Sequence, residues 1–159
     1  MASTITAANL KVKITEEIIL NGKDQGGTTE LTIGSINEIS KRIVTITTAE
    51  STIATFSAAV ASAGHYVAAD VRYIRFTNLD DTNFITLTFR NQDNDEVAIK
   101  LDAEQSFIWN GDNNDGMTAV LNATQDADAA SSTNFGSLTN IQADADTASC
   151  DLEMFIASV

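Results

Sequence analysis

In 159 residues the chain has no proline, one cysteine, one histidine and one tryptophan, and each scarcity closes off a class of protein. A lone cysteine, Cys150, can form neither an internal disulfide nor a cysteine-rich metal site. It lies in an alternating C-terminal segment, where a buried inert thiol is expected rather than a reactive one. The lone imidazole, His65, sits beside Gly64 among small residues with no distinctive partner, which suits a packing or surface histidine and not a Ser–His or Cys–His dyad. One His and one Cys also fall short of the usual zinc ligand sets. At an average usage of about 5%, roughly eight prolines would be present. Their absence removes one guard against strand addition, which suits edges covered by partner subunits. No apolar run approaches the roughly 18–20 residues of a membrane span. The opening MASTITAANL lacks the basic and apolar regions of a signal peptide. The expectation is synthesis in a cytoplasm, with no membrane partner.

Positive charge is scarce in the second half. Residues 1–79 hold 7 acidic and 7 basic side chains, whereas residues 80–159 hold 15 acidic ones against Arg90 and Lys100 alone. The net charge of −13 therefore arises after residue 79. Such a surface repels phosphate backbones and anionic lipid, which argues against nucleic-acid and membrane-surface roles. It suits solubility, a salty environment, or a cation or basic partner.

What is present is strand. Hydrophobic content of 43% with 19% charged residues is globular, and abundant Thr and Ile lean towards β structure. Ile74 and Phe76; Ile85, Leu87 and Phe89; and Val97, Ile99 and Leu101 recur at every second position, the period of a sheet with one buried face. Leu10, Val12 and Ile14 open a first strand, whose phase breaks at Glu16–Glu17 as a bulge or strand end. Asn21–Gly22 offers a tight hairpin turn, which Gly26–Gly27 loosens into a longer loop. Leu31 and Ile33 continue as a short strand, Gly34–Ser35 marks a turn, and Ile36 to Thr47 forms a long β-branched segment with Val44 and Ile46 towards the core. Glu50 to Asp70 is ambiguous: a strand over ESTIATF, then a loop or a single helical turn. A short strand at Met117–Leu121 within a long surface excursion, then strands over Leu138–Ala145 and Ser149–Val159, close the chain. The expectation is a single all-β domain over residues 1–159, an antiparallel β-sandwich or jelly roll of about eight to ten strands, with residues 1–9 as an N-terminal arm.

Chemistry-bearing constellations are thin. Asp93, Asp95 and Glu96 share one turn and Asp112 and Asp115 another, making Asp93, Asp95, Asp112 and Asp115 candidates for calcium, which takes about six to eight oxygens. EF-hand spacing fails in NGDNNDG, because a glycine at position six puts Gly111 at position one. Solvated turn residues are the better reading. With 22 acidic side chains some pair always meets a glycosidase spacing, so that signal lacks specificity. Trp109 is either a lid on the core or one exposed sugar platform, with the lid preferred. There is no P-loop, dinucleotide fingerprint or nucleophile elbow, so neither catalysis nor a cofactor is expected.

The run VRYIRFTNLDDTNFITLTF, then AIKLDAEQSFIW, and finally TASCDLEMFIAS resemble small virion structural proteins of tailed bacteriophages. In that group a strand ends in a TNLD-like turn, and a later strand runs through an L-x-x-x-x-S-F step, here Leu101 to Phe107. Ala103–Glu104 stands where the group has Pro-Gly. The resemblance covers roughly residues 67–109 and the last ten, and it is a pattern of strands. It implies a β-sandwich that assembles with copies of itself and docks on a capsid or tail. The functional expectation is a capsid decoration (cement) protein, a homotrimer bound to the major capsid protein on the outside of the head. Its expected contacts are the N-terminal arm, with Ala2 and Leu10, and an edge segment bounded by Ile36 and Ile46. Alternatives are another virion component (tail, neck or fibre base) or a calcium-dependent carbohydrate-binding module.

Overall fold

A computed structural model describes residues 5–60, 62–111, 116–117 and 138–159. The chain divides into two compact units, residues 1–38 with Val159 and residues 39–158. No helix occurs among the described residues, and none is long and apolar enough to cross a membrane.

The first unit is a β-ribbon. Strand β1 (Ala8–Glu16) leads through the two-residue strands β2 (Ile19–Leu20) and β3 (Lys23–Asp24) into β4 (Gly27–Ile36). β1 and β4 pair antiparallel, with Leu10 opposite Ile33, Val12 opposite Leu31 and Ile14 opposite Thr29. β2 and β3 make a small hairpin at the tip, turned by Asn21 (φ 51) and Gly22 (φ 75), the positive-φ pair that a two-residue turn requires. β1 stops at Glu16, where the sequence phase breaks. Gly26 starts no loose loop. A Cβ there would lie 2.1 Å from the Glu16 carbonyl oxygen, so glycine lets β4 return close to the end of β1. Gly34–Ser35 is likewise no turn. The register shifts between Ala8 and Leu10, and Ser35 (φ 61) absorbs the slip as a bulge within β4.

Among its described residues the second unit holds nine strands in two sheets: β5 (Glu38–Ile46), β6 (Ser51–Ser57), β7 (His65–Val67), β8 (Val71–Asn78), β9 (Ile85–Asn91), β10 (Glu96–Leu101), β11 (Ser106–Asn110), β12 (Leu138–Ala145) and β13 (Cys150–Ser158). One sheet runs β11-β8-β13-β5, the other β10-β9-β12-β6-β7. The pairs are nested: β9 with β10 innermost, then β8 with β11, β6 with β12, and β5 with β13 outermost. A long hairpin with its tip at residues 92–95 has thus rolled up, bringing β9 against β12 and β8 against β13. That is a jelly roll. β7 departs from the all-antiparallel expectation by pairing parallel to β6 as an added edge.

The core lies between these sheets. Ile74 and Phe76 of β8, Ile85 and Leu87 of β9, Ile141 of β12 and Leu152 of β13 are fully buried within one cluster. The expected alternation holds in β8 and β9, whereas in β10 only Leu101 is buried, Ile99 is partly buried and Val97 is exposed at 38%; Val44 packs against this core while Ile46 lies inside it. The segment after β6 forms bends and a turn, not a helix. The strand expected at Met117–Leu121 falls mostly outside the described residues, although Met117 is buried and donates its N–H to the Ala68 carbonyl at 2.7 Å.

Candidate interaction surfaces

The ribbon is amphipathic because β1 and β4 alternate in phase. Leu10, Val12, Ile14, Leu31 and Ile33 share one face. Lys11, Lys13 and Glu30 share the other, where both lysines reach the Glu30 carboxylate, at 3.2 and 3.3 Å. Ile14 and Leu31 are exposed, and at the tip Ile18, Ile19 and Leu20 are exposed too, Ile19 at 77%. Six of the eleven exposed large hydrophobics among the described residues lie in residues 5–38, so apolar exposure concentrates in the smaller unit. A shallow depression of about 540 Å³ is lined near the tip by Glu16, Ile18, Ile19, Asp24 and Thr28. An isolated two-stranded ribbon is marginal in water, and one with an uncovered apolar face more so.

On the second unit, the outer face of the β11-β8-β13-β5 sheet carries a charged centre. Glu153 accepts a hydrogen bond from the Arg75 guanidinium and an ion pair from Lys41 at 3.1 Å. Its side chain is only 17% exposed, and these two bonds hold its carboxyl below the usual range, Arg75 first and Lys41 second. Thr45 donates to Asp151 at 2.8 Å along the same seam between β5 and β13. Ile39 and Ile43 of β5 are exposed at 58% and 60%, beside this network.

The lowered carboxyl gives a testable pH dependence. Glu153 binds a proton less readily folded than unfolded, so its contribution is complete above the unfolded value and vanishes as pH falls through the folded one. Glu153→Gln is therefore expected to melt several degrees lower at pH 7. Below the ordinary carboxylate range the two proteins are expected to converge. A gap that does not narrow at all as pH falls through the acid range would assign the loss to packing instead.

The residues singled out from the sequence scatter. Ala2, Asp112 and Asp115 lie outside the described residues. Leu10 is half-buried on the apolar face of the ribbon. Ile36 and Ile46 are buried, at 5% and 1%, and so cannot be surface contacts. β5 points alternate side chains outward, which puts Ile39 and Ile43 at the surface in their place. Asp93 and Asp95 are bound into the β9–β10 turn. Asn91 accepts from both backbone N–H groups at 2.9 and 2.8 Å and donates to the Asp95 carboxylate at 3.0 Å, while Gln92 donates to Asp93. No group of three His, Cys, Asp or Glu side chains arranged for a metal ion occurs among the described residues.

No protein-family model matches this chain, and neither a curated protein nor a solved structure does. Its function is therefore argued from its surfaces.

Trp109 is the lid, not a platform: it stacks edge-on against Phe89 at 5.2 Å and near Phe107 at 6.4 Å, closing the core between β9 and β11. Cys150 is buried and donates to the Ala148 carbonyl at 3.4 Å. Burial first, then the neighbouring Asp80, pushes its thiol up and keeps it protonated. His65 sits half-buried in β7, its backbone paired with Thr55 of β6. Sequence reasoning missed Arg75, Glu153 and the two exposed isoleucines of β5. Alternation could have found the isoleucines, but nothing local pairs Arg75 with Glu153.

Proposed function

We propose that this chain is a capsid decoration (cement) protein of a tailed bacteriophage. It binds the outside of the head through the major capsid protein, associates with copies of itself, and stabilises the shell. The observation that carries this reading is an amphipathic ribbon with an exposed apolar face in a chain whose other unit is a jelly roll. Covering that face across several subunits links neighbours and stabilises whatever assembly it joins. The acidic loops after residue 79 favour solubility and suit a solvent-facing surface.

Against a carbohydrate-binding module, the single tryptophan is half-buried against the core, and no aromatic lies at Thr86, Thr88, Arg90, Asn140 and Gln142, the positions of β9 and β12 that alternate with the core residues. Sugar rings need such aromatic platforms. The test is sedimentation of purified protein with heads lacking it. The full chain is expected to co-sediment stoichiometrically, and removing residues 1–9, which takes away the start of β1, is expected to reduce occupancy several-fold. Full-length protein left in the supernatant would overturn the reading; unchanged occupancy of the truncated form would exclude the start of the ribbon as an anchor.

A further inference from the structure

We propose that Asn21, at the tip of the ribbon, is a site of spontaneous modification, losing its side-chain amide to give isoaspartate and aspartate, while the fold protects Asn110 from the same reaction. Asparagine is followed by glycine twice in this chain, at Asn21–Gly22 and at Asn110–Gly111. In such a step the backbone nitrogen of the second residue reaches the asparagine side-chain carbonyl most easily, because glycine puts no Cβ in the way. Two copies of one dipeptide isolate what the fold adds.

The reaction needs only water. The Gly22 nitrogen attacks Cγ of Asn21 and gives up its proton to solvent. The new N–Cγ bond replaces the Cγ–Nδ2 bond, and ammonia leaves. Water then opens the resulting succinimide ring at one of its two carbonyls. Breaking the N–Cγ bond gives aspartate with the chain in its original path. Breaking the bond from nitrogen to the main-chain carbonyl carbon gives isoaspartate, with the chain running through Cγ. No oxidant or reductant is involved.

The ribbon tip leaves this path open. Asn21 and Gly22 are exposed, and a Cβ built on Gly22 would meet nothing within 4 Å. Among the described residues the Gly22 N–H makes no backbone hydrogen bond, so the nucleophile is free. Attack also requires the Asn21 backbone to rotate out of its turn, where φ is 51. The hairpin around it allows that rotation. β2 and β3 pair over two rungs only, Ile19 with Asp24 and Leu20 with Lys23, and every residue from 13 to 25 is exposed. A hairpin with no buried side chain is marginal and opens locally with ease.

Asn110 faces the opposite conditions. It ends β11 in register with Tyr73 of β8, and the Gly111 N–H donates to the Arg72 carbonyl at 3.0 Å. A Cβ on Gly111 would lie 2.3 Å from the Val71 carbonyl oxygen, so this glycine is pressed against the chain at the start of β8. Its nitrogen is occupied, and rotation at Asn110 requires β11 to leave the sheet, taking Phe107 and Trp109 from the core. At the tip, by contrast, the product puts a carboxylate beside Ile18, Ile19 and Leu20, all exposed. Isoaspartate also adds a backbone carbon to a two-residue loop, which breaks the β2–β3 register.

Incubation of the full chain for weeks at 37 °C in mildly alkaline buffer tests this, read by peptide mapping with fragmentation that separates isoaspartate from aspartate. Asn21 is expected to convert nearly as fast as it does in the free peptide ILNGK, residues 19–23, with isoaspartate the larger product. Asn110 is expected to convert at least about tenfold more slowly, and the two sites to converge in strong denaturant. Gly22→Ala is expected to slow the reaction at Asn21 several-fold. An Asn21 that stays intact in the folded chain while the peptide converts would overturn the proposal, as would equal rates at both sites in the folded chain. Aspartate as the sole product would replace ring closure by direct hydrolysis. An Asn110 that stays slow in denaturant would remove the fold as its protector. No heads enter this assay, so its outcome is independent of the decoration reading.

Discussion

Replacing Phe76 by alanine is expected to remove about 4 kcal/mol of stability and lower the melting temperature by roughly 15 °C. Phe76 is fully buried in β8, with Phe107 of β11 opposite it on one side and Met154 of β13 on the other. Strands flank it on both sides and the second sheet covers it, so the backbone cannot move in to fill the space. The cost is therefore lost burial plus a cavity. Ile39→Ala, exposed on β5, is the control and is expected to change stability by no more than about 0.5 kcal/mol. Denaturant unfolding followed by Trp109 emission measures both. A loss below about 1.5 kcal/mol for Phe76→Ala would mean that the two sheets do not close over it, and the sandwich described above would be wrong in register.

Asn78→Ala is expected to cost about 3 kcal/mol, for a different reason. Asn78 is completely buried at the end of β8. Its amide donates to the carbonyls of Asn83, Leu101 and Asp102 at 2.8, 3.2 and 3.3 Å, and its oxygen accepts the Asp80 N–H at 3.1 Å. One side chain thus fastens the β8–β9 turn to the end of β10. Alanine leaves those backbone groups without that partner in a place where water replaces it poorly. Asn78→Asp sharpens the test. At pH 7 a carboxylate facing three carbonyl oxygens cannot donate, so this variant is expected to be less stable than Asn78→Ala. Protonation restores a donor, so its stability relative to Asn78→Ala is expected to rise as pH falls. Equal stabilities at both ends of that range would show that solvent reaches the site.

Asp80 belongs to the same turn. It accepts the N–H groups of Asn83 and Thr82 at 2.6 and 2.8 Å, and these two bonds hold its carboxyl below the usual range. The sequence TNLDDTN was legible as a turn, since Asn and Asp bond their own backbone. That its first asparagine is a buried fastener was not legible, because the acceptors at Leu101 and Asp102 come from over twenty residues away.

Most of the local structure was open to a reader of the sequence, because a strand with one buried face must alternate. Ile74 and Phe76, Ile85 to Phe89, and the Asn21–Gly22 turn follow from period and from the need for positive φ. The acidic imbalance after residue 79 and the inert Cys150 follow from composition. Tertiary structure alone decided which strands meet. Alternation says which way a side chain points and nothing about which strand lies beside it, so the nesting of β5 with β13 and β6 with β12 was beyond reach. So was the separation of residues 1–38 as a ribbon, since β1 reads like any core strand until its neighbours are counted. The parallel pairing of β7, the bulge at Ser35 and the joining of Arg75 to Glu153 likewise depend on distant partners. Ile36 shows the rule at a single residue: alternation from Ile46 already puts Ile39 and Ile43 on the outward face of β5, whereas only the packing of the fold turned Ile36 inward.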